Sequence, residues 1–398
     1  MSELSALVLK KGEDRRLRAG HLWIFSNEVD VQRTPLQNFS AGEPVRVEAA
    51  DGRLLGCGYV NPHSLICARL VSRDLRHPLD KSLLVHRLNI ALALRQRLYP
   101  HPWYRLVHGE GDALPGLVID RFNDIIVVQI NTAGMEQQRE AIVAALEQVL
   151  KPRVILLRND TSARALEGLE RYSECVVGEL PDQVVIEENG CRFEAPLAQG
   201  QKTGWFYDHR ENRAFANRLV AGARVLDLFS YVGGWGVQAA VAGAAEVVAV
   251  DSSEPALAQA QFNAMRNGVG DRFRTLAGDA FEVLRQLRAD QERFDVVIAD
   301  PPAFIKRKKD MKTGVAAYRR LNQAAMQLLG RHGILISASC SYHLPAAELR
   351  QLLNQSARHV DRRLQLLWQG HQAPDHPIHP AIPETDYLKC LVSRLVLD

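Results

Sequence analysis

The stretch Val225-Leu226-Asp227-Leu228-Phe229-Ser230-Tyr231-Val232-Gly233-Gly234-Trp235-Gly236-Val237-Gln238-Ala239-Ala240 constrains this chain more than any other. A short apolar run closes on an acid, passes through a glycine-rich turn and continues into small residues suited to a helix. That order predicts strand, loop and helix. The glycines allow positive φ and a close backbone approach, and a helix N-terminus offers unpaired N–H groups. A nucleoside-bearing cofactor is expected across this turn.

Downstream the pattern alternates. Strands are expected over 246–250, 273–277, 294–299 and 333–337, helices over 255–267, 318–329 and 346–356, and closing strands over 364–369 and 389–396. Such alternation implies a parallel sheet with crossover helices, a Rossmann-like α/β domain from about residue 196 to 398. Polar residues end successive strands: Asp251-Ser252, Gly278-Asp279 and Asp300-Pro301-Pro302. In an open α/β sheet those positions border the ligand crevice. Asp251 suits ribose hydroxyls, and Asp279 suits an adenine amine. The loop Val232–Gly236 fits the dinucleotide pattern Gly-x-Gly-x-x-Gly poorly. Asp300-Pro301-Pro302-Ala303-Phe304 instead suits a planar base, because the prolines stiffen the backbone and Phe304 can cover a ring. A hydride-transfer enzyme has no need of that pocket. The combination points to a methyl donor, S-adenosylmethionine, rather than to NAD.

A chain of 398 residues can bury more than one core. Residues 1–75 read as a small β domain, with Asp51-Gly52 as a hairpin turn. Within it, residues 15–26 interleave arginines with His21, Trp23 and Phe25. By composition this is a solvated loop whose aromatics plug a barrel; the alternative is an RNA-facing surface. Residues 76–195 read as an α+β middle domain without a catalytic constellation, a spacer or platform. A net charge of +3 requires any nucleic-acid binding to come from a local patch. Six scattered cysteines imply neither a disulfide framework nor a zinc site. No run reaches the roughly 18 apolar residues of a membrane helix, so a cytoplasmic protein without a membrane partner is expected. His371, His376 and His379 lie in a proline-rich loop without metal-ligand partners and are expected to line the substrate side.

Several stretches together carry a resemblance. They are Gly20–Ser26, Gly109-Glu110-Gly111-Asp112-Ala113-Leu114-Pro115-Gly116-Leu117, Gln201-Lys202-Thr203-Gly204-Trp205-Phe206-Tyr207-Asp208-His209-Arg210, Asp227–Gly236, Asp300–Phe304 and Ser339-Cys340-Ser341-Tyr342-His343. Over nearly its full length the chain resembles the ribosomal RNA large-subunit methyltransferase I family, which methylates cytosine at C5 in bacterial 23S rRNA. The resemblance implies a PUA domain, a central α+β domain and a class I methyltransferase domain, in that order. It favours the RNA-facing reading of residues 15–26. It also implies a donor site built from Lys202, Thr203, Asp208, Arg210, Asp227, Phe229, Gly233, Gly234, Gly236, Asp251, Ser252, Asp279 and Asp300, with Arg210 as the carboxylate partner. The implied partner is 23S rRNA or a large-subunit precursor, and a homodimer is left open.

Cytosine C5 is too poor a nucleophile to take a methyl group from a sulfonium unaided. A thiolate adding to C6 makes C5 an enamine carbon, so the chain needs a cysteine, an acid near N3 and a base. Cys340, flanked by Ser339, Ser341 and His343 at a strand end, is the expected nucleophile, and Asp300 is the group that protonates or hydrogen-bonds N3. Enzymes of the two-cysteine type carry a second cysteine where Ala303 stands here. Pro301, Pro302 and Phe304 are expected to hold the base, and Lys306, Arg307 and Lys308 the RNA backbone. No residue identifies itself as the C5 base. A guanine methyltransferase that needs no thiol, or a non-catalytic RNA-binding assembly factor, are the alternatives.

Overall fold

Runs such as Val247-Val248-Ala249-Val250 and Val296-Val297-Ile298-Ala299 are apolar on both faces, which suits strands covered by helices on each side. In the structure, a computed structural model, they lie inside a seven-stranded sheet, neither of them at an edge. Residues 4–198, 200–201 and 203–397 are described. The chain divides into two compact units, one of Met1–Val184, Pro196–Tyr207 and Pro374–Thr385, the other of Val185–Ala195, Asp208–Ala373 and Asp386–Asp398.

The second unit contains strands β1 (Arg224–Leu228), β2 (Glu246–Asp251), β3 (Phe273–Ala277), β4 (Phe294–Ala299), β5 (Leu329–Ser339), β6 (Arg362–Gly370) and β7 (Lys389–Leu397), in the sheet order β3-β2-β1-β4-β5-β7-β6. The first five pair in parallel; β7 pairs antiparallel with both β5 and β6. The order reverses at β1, flanked by β2 and β4, which opens a crevice beyond the carboxyl ends of those strands. Helices α1 (Arg210–Ala216), α2 (Gly236–Val241), α3 (Glu254–Arg266), α4 (Ala280–Ala289), α5 (Met311–Leu328) and α6 (Ala346–His359) belong to this unit. Leu226, Val250, Val297, Leu321, Leu335, Leu349 and Leu353 share one buried core. Helix α5 starts at Met311, ahead of the expected 318, because Met311 and Val315 also pack on that core.

The first unit holds two five-stranded sheets with separate cores. One comprises Ser5–Val8, Trp23–Ile24, Glu43–Glu48, Leu54–Val60 and Ala68–Ser72, with Gly52 in the left-handed region (φ +81) at the expected hairpin. The other comprises Trp103–His108, Leu117–Phe122, Ile125–Ile130, Val154–Asn159 and Tyr172–Val177, with helices Lys81–Leu98 and Arg139–Leu150.

Two details depart from the sequence reading. The segment 185–195 goes with the second unit, because Asn263 on α3 exchanges two hydrogen bonds with the Glu194 main chain at 2.8 and 3.2 Å. Residues 196–207 go with the first, where Arg158 donates to the Leu197 and Gly200 carbonyls and the Tyr207 hydroxyl to Arg121 O. The basic and aromatic stretch 15–26 is largely satisfied internally: Arg16 pairs with Glu28 at 2.5 Å and lies over Phe25, and the Trp23 indole donates to Glu110 at 2.9 Å. Trp23 and Phe25 are half-buried, and Arg15 and Arg18 are the exposed cations of the stretch, Arg18 pairing with Asp14 at 2.9 Å. Among the described residues no helix is long and apolar enough to cross a membrane.

Candidate active site

The glycine loop leaves β1 through an unusual backbone path. Phe229 (φ 62) and Tyr231 (φ 49) are both left-handed without being glycine, and Gly233 follows at φ 86. Such positions cost free energy and persist where their surroundings hold them. Here Ser230 N donates to Val250 O at 3.0 Å, Tyr231 N to Asp251 Oδ2 at 2.9 Å, and Gly233 N to Ser230 O at 2.9 Å. A Cβ on Gly236 would lie 2.9 Å from Asp227 Oδ2 and 3.0 Å from both Phe273 and Val247; one on Gly233 would meet Val237 at 2.8 Å.

Asp227 corrects an expectation. It is fully buried, so it does not line the crevice; its Oδ2 accepts the Gly236 N–H at 2.9 Å, clamping the start of α2 from behind. The first N–H of that helix is therefore already taken. Burial pushes the Asp227 carboxyl up to about 8, with Asp300 and Asp251 adding repulsion against the Gly236 hydrogen bond and Arg213. A neutral carboxyl needs no countercharge, which explains an acid in this position.

Asp251 takes Tyr231 N on Oδ2 and Ser253 N on Oδ1, both at 2.9 Å, and its remaining lone pairs are open to ribose hydroxyls. Asp279 caps α4 through Oδ1, accepting from Phe281 and Glu282, and no hydrogen bond to its Oδ2 is made among the described residues. Ser252 is exposed beside them. Asp251 and Ala277 are paired neighbours across β2 and β3, so both acids border one edge of the crevice. The Ser230 hydroxyl is buried with no hydrogen-bond partner among the described residues, which ordinarily costs about 1–3 kcal/mol. An unpartnered hydroxyl in the loop, two carboxylates with open lone pairs and a backbone held left-handed fit an adenosyl group.

The segment upstream of β1 is less uniform. Lys202 lies outside the described residues, and buried Thr203 belongs to the first unit. Asp208 accepts the Tyr387 hydroxyl at 2.6 Å. The Arg210 guanidinium faces Glu188 at 3.6 Å, a fully buried carboxylate that Arg213 also pairs with at 2.7 Å. A carboxylate without solvent requires countercharge, and this claims part of the arginine expected to serve the donor. His376 does not line a substrate loop either. It is buried in the first unit, its Nδ1 2.7 Å from Asp375, with its ring against His108.

Asp300 and Cys340 stand at the ends of adjacent parallel strands, β4 and β5, where Ala299 pairs with Ser337. Asp300 sits 3.2 Å from His209 Nε2 and accepts the Trp235 indole N–H at 3.0 Å. Asn212 Nδ2 lies 3.3 Å from His209 Nδ1 and helps orient the ring with Nε2 toward Asp300. Burial alone would raise Asp300, but the charge of His209 and the hydrogen bonds from His209 and Trp235 outweigh it and hold the carboxyl below its usual range. Asp300 is thus an anion and a hydrogen-bond acceptor.

Cys340 is half-buried and is not in a disulfide. Beneath it a hydroxyl cluster fixes the turn: Ser339 Oγ donates to Tyr318 OH at 2.9 Å, Tyr318 OH lies 2.9 Å from Ser341 Oγ, and Ile305 N donates to Ser341 Oγ at 3.1 Å. Phe304 packs on the Tyr318 ring with centroids 4.8 Å apart. Pro301 is buried and Pro302 exposed. Beyond them Lys306, Arg307 and Lys308 are exposed, with Arg307 in a loose pair to Asp310 at 3.4 Å. Nothing local in the sequence marks His209, Trp235 or Tyr318 as site residues, although Trp235 lies inside the glycine loop and His209 between Asp208 and Arg210.

Comparison with known proteins identifies the family. The family described as S-adenosylmethionine-dependent methyltransferase matches residues 104–394, and a PUA-like domain matches residues 7–73. Ribosomal RNA large subunit methyltransferase I of Shewanella denitrificans is 38% identical over 395 residues, covering 98% of this chain and 99% of the relative. The protein of that name from Aliivibrio fischeri is 37% identical over 396 residues, with the same coverage. Among solved structures, SMU.776 complexed with SAH superposes with a TM-score of 0.84 at 21% identity, over 98% of this chain and 100% of its own. Trm5b from Pyrococcus abyssi reaches 0.54 at 16% identity, over 70% and 75%. The chain is an S-adenosylmethionine-dependent methyltransferase and belongs to the ribosomal RNA large subunit methyltransferase I family.

Proposed function

We propose that this enzyme methylates C5 of a cytosine in large-subunit ribosomal RNA through a covalent bond between Cys340 Sγ and C6. The relatives' name supports the substrate class. The single observation that carries the chemistry is the half-buried Cys340 thiol on a turn whose Ser341 accepts the main-chain N–H of Ile305, just past the Asp300–Phe304 loop.

When bound, S-adenosylmethionine supplies an electrophilic methyl group, held by Asp251, Asp279 and the loop Phe229–Gly236. The protein's task is to make C5 a nucleophile. The thiolate adds to C6, and the displaced π electrons make C5 electron-rich. After C5 carries the methyl group, loss of its proton returns an electron pair to the ring and expels the thiolate. Asp300, held as an anion, accepts from the 4-amino group or from N3 once N3 carries a proton. Phe304 covers the base, with Pro301 and Pro302 fixing the loop, while Lys306, Arg307 and Lys308 contact phosphates of the strand that delivers it. Residues 1–75 and 76–184 serve as RNA-gripping and platform regions for catalysis by the second unit. Cys340→Ala is expected to abolish methyl transfer and leave S-adenosylmethionine affinity unchanged. Full activity in that variant removes the cytosine-5 reading and leaves a thiol-independent base methylation. Mass-spectrometric mapping of modified nucleosides in rRNA from cells lacking the protein identifies the base.

A further inference from the structure

We infer that Lys389 is the activating partner of Cys340, a positioning residue that takes up the thiol proton so that Sγ attacks as a thiolate. The inference rests on the adduct chemistry proposed above.

Lys389 opens β7 and in the antiparallel register faces Ser339, the residue before Cys340. Its Nζ donates to Ser341 O at 2.6 Å and to Tyr387 O at 2.8 Å, so the side chain reaches the far side of the Cys340 turn. An ammonium has three hydrogens. With two on main-chain carbonyls, the third has no partner among the described residues, and Lys389 forms no ion pair there. A buried cation without a carboxylate is costly. Two titratable groups act on its charge, Cys340 from the turn after β5 and Asp386 from the segment before β7. Burial, the largest influence, pulls the ammonium down to about 8, while Cys340 and Asp386 pull it back up. A lysine in that range exchanges protons with a thiol near neutral pH.

The step balances within the pair. The Sγ–H bond breaks, its proton adds to the lone pair of neutral Nζ, and the ammonium so formed stands beside the thiolate. The sulfur pair then forms the bond to C6. When the thiolate is expelled it returns to the same cation, ready for another cycle.

A purely structural lysine would tie the two carbonyls and do nothing to the thiol. The pH dependence of Cys340 alkylation by iodoacetamide, followed by peptide mass mapping on the full chain, separates the two. Lys389→Gln keeps donors for the carbonyls but has no charge and no basic nitrogen. It is expected to move the alkylation midpoint up by about one pH unit and slow Cys340 alkylation about tenfold at neutral pH. Lys389→Arg, which keeps the cation, is expected to retain the low midpoint. Equal midpoints in wild type and Lys389→Gln overturn the inference. Should Lys389→Gln fail to fold, the wild-type midpoint decides alone: at or above the ordinary thiol value of about 8.5, there is no activation. Alkylation needs no RNA. An active Cys340→Ala enzyme with a low wild-type midpoint would therefore sink the adduct reading and leave the Lys389–Cys340 pair standing.

Discussion

Ser341 Oγ accepts the main-chain N–H of Ile305 at 3.1 Å, so the turn carrying Cys340 and the loop opened by Asp300 are fastened to each other. Tyr318, from the middle of α5, joins the same hydroxyl from below and reaches Ser339 as well. Removing the Tyr318 hydroxyl leaves two buried serine hydroxyls short of a partner. Tyr318→Phe is expected to cost about 1–3 kcal/mol in urea denaturation. Ser341→Ala is expected to cost a similar amount by stranding the Ile305 amide. In both, kcat should fall while S-adenosylmethionine affinity, measured by calorimetry, stays within a factor of two or so of wild type, because neither residue touches the donor loop. Loss of donor binding equal to the loss of kcat would refute this separation.

Asp300 is stabilised as an anion by His209 and by the Trp235 indole. A carboxyl depressed in the folded state contributes stability above its unfolded value of 3.8, and that contribution disappears as pH falls through the folded value. Trp235→Phe keeps an aromatic ring against His209 but removes the donor at 3.0 Å. It should destabilise the protein by about 1–3 kcal/mol at pH 7, a hydrogen bond to a charged group, with the difference shrinking below about pH 4. A pH-independent difference would mean that the indole matters only by packing.

Asp227 behaves in the opposite sense. Its folded carboxyl is pushed up from 3.8 to about 8, so between those values the native state binds more protons than the unfolded chain. Stability contributed at this site therefore falls as pH rises from 3.8 to about 8. Asp227→Asn keeps an acceptor for the Gly236 amide and carries no charge. Its stability relative to wild type is expected to improve steadily over that window, reaching on the order of 1–3 kcal/mol at pH 8. Thermal unfolding across pH 4 to 9 checks it. A flat difference would show that the carboxylate is stabilised by more than Gly236 and Arg213.

The strands and the ligand edge of the sheet were legible because their signals are local. Continuous Val, Ile and Ala runs mark strands buried on both faces, and Phe273–Ala277 and Phe294–Ala299 fall where the pattern places them. Turn chemistry at Asp51-Gly52 and the glycine density after Tyr231 depend only on backbone sterics between near neighbours. The acids at strand ends could also be read, since a parallel sheet puts successive carboxyl ends on one edge.

What each side chain does at that edge was a matter of tertiary structure. Asp227 and Asp251 look equivalent in sequence, yet one turns inward to a helix amide and the other faces the crevice. Arg210 reads as a free cation until Glu188, 22 residues earlier by number (210 − 188), claims it inside the second unit. Asp300 reads as an acid; only the approach of His209 and Trp235 from other segments makes it an anion. Lys389 carries no motif at all, and its place beside Cys340 follows from the antiparallel pairing of β7 on β5. The sequence by itself determined the class of fold, through short-range sterics and hydrophobic periodicity, and the cofactor, through the acids at strand ends and the motifs shared with a family. Protonation states and partnerships were decided by the fold, because burial and electrostatic pairing depend on distances between residues far apart along the chain.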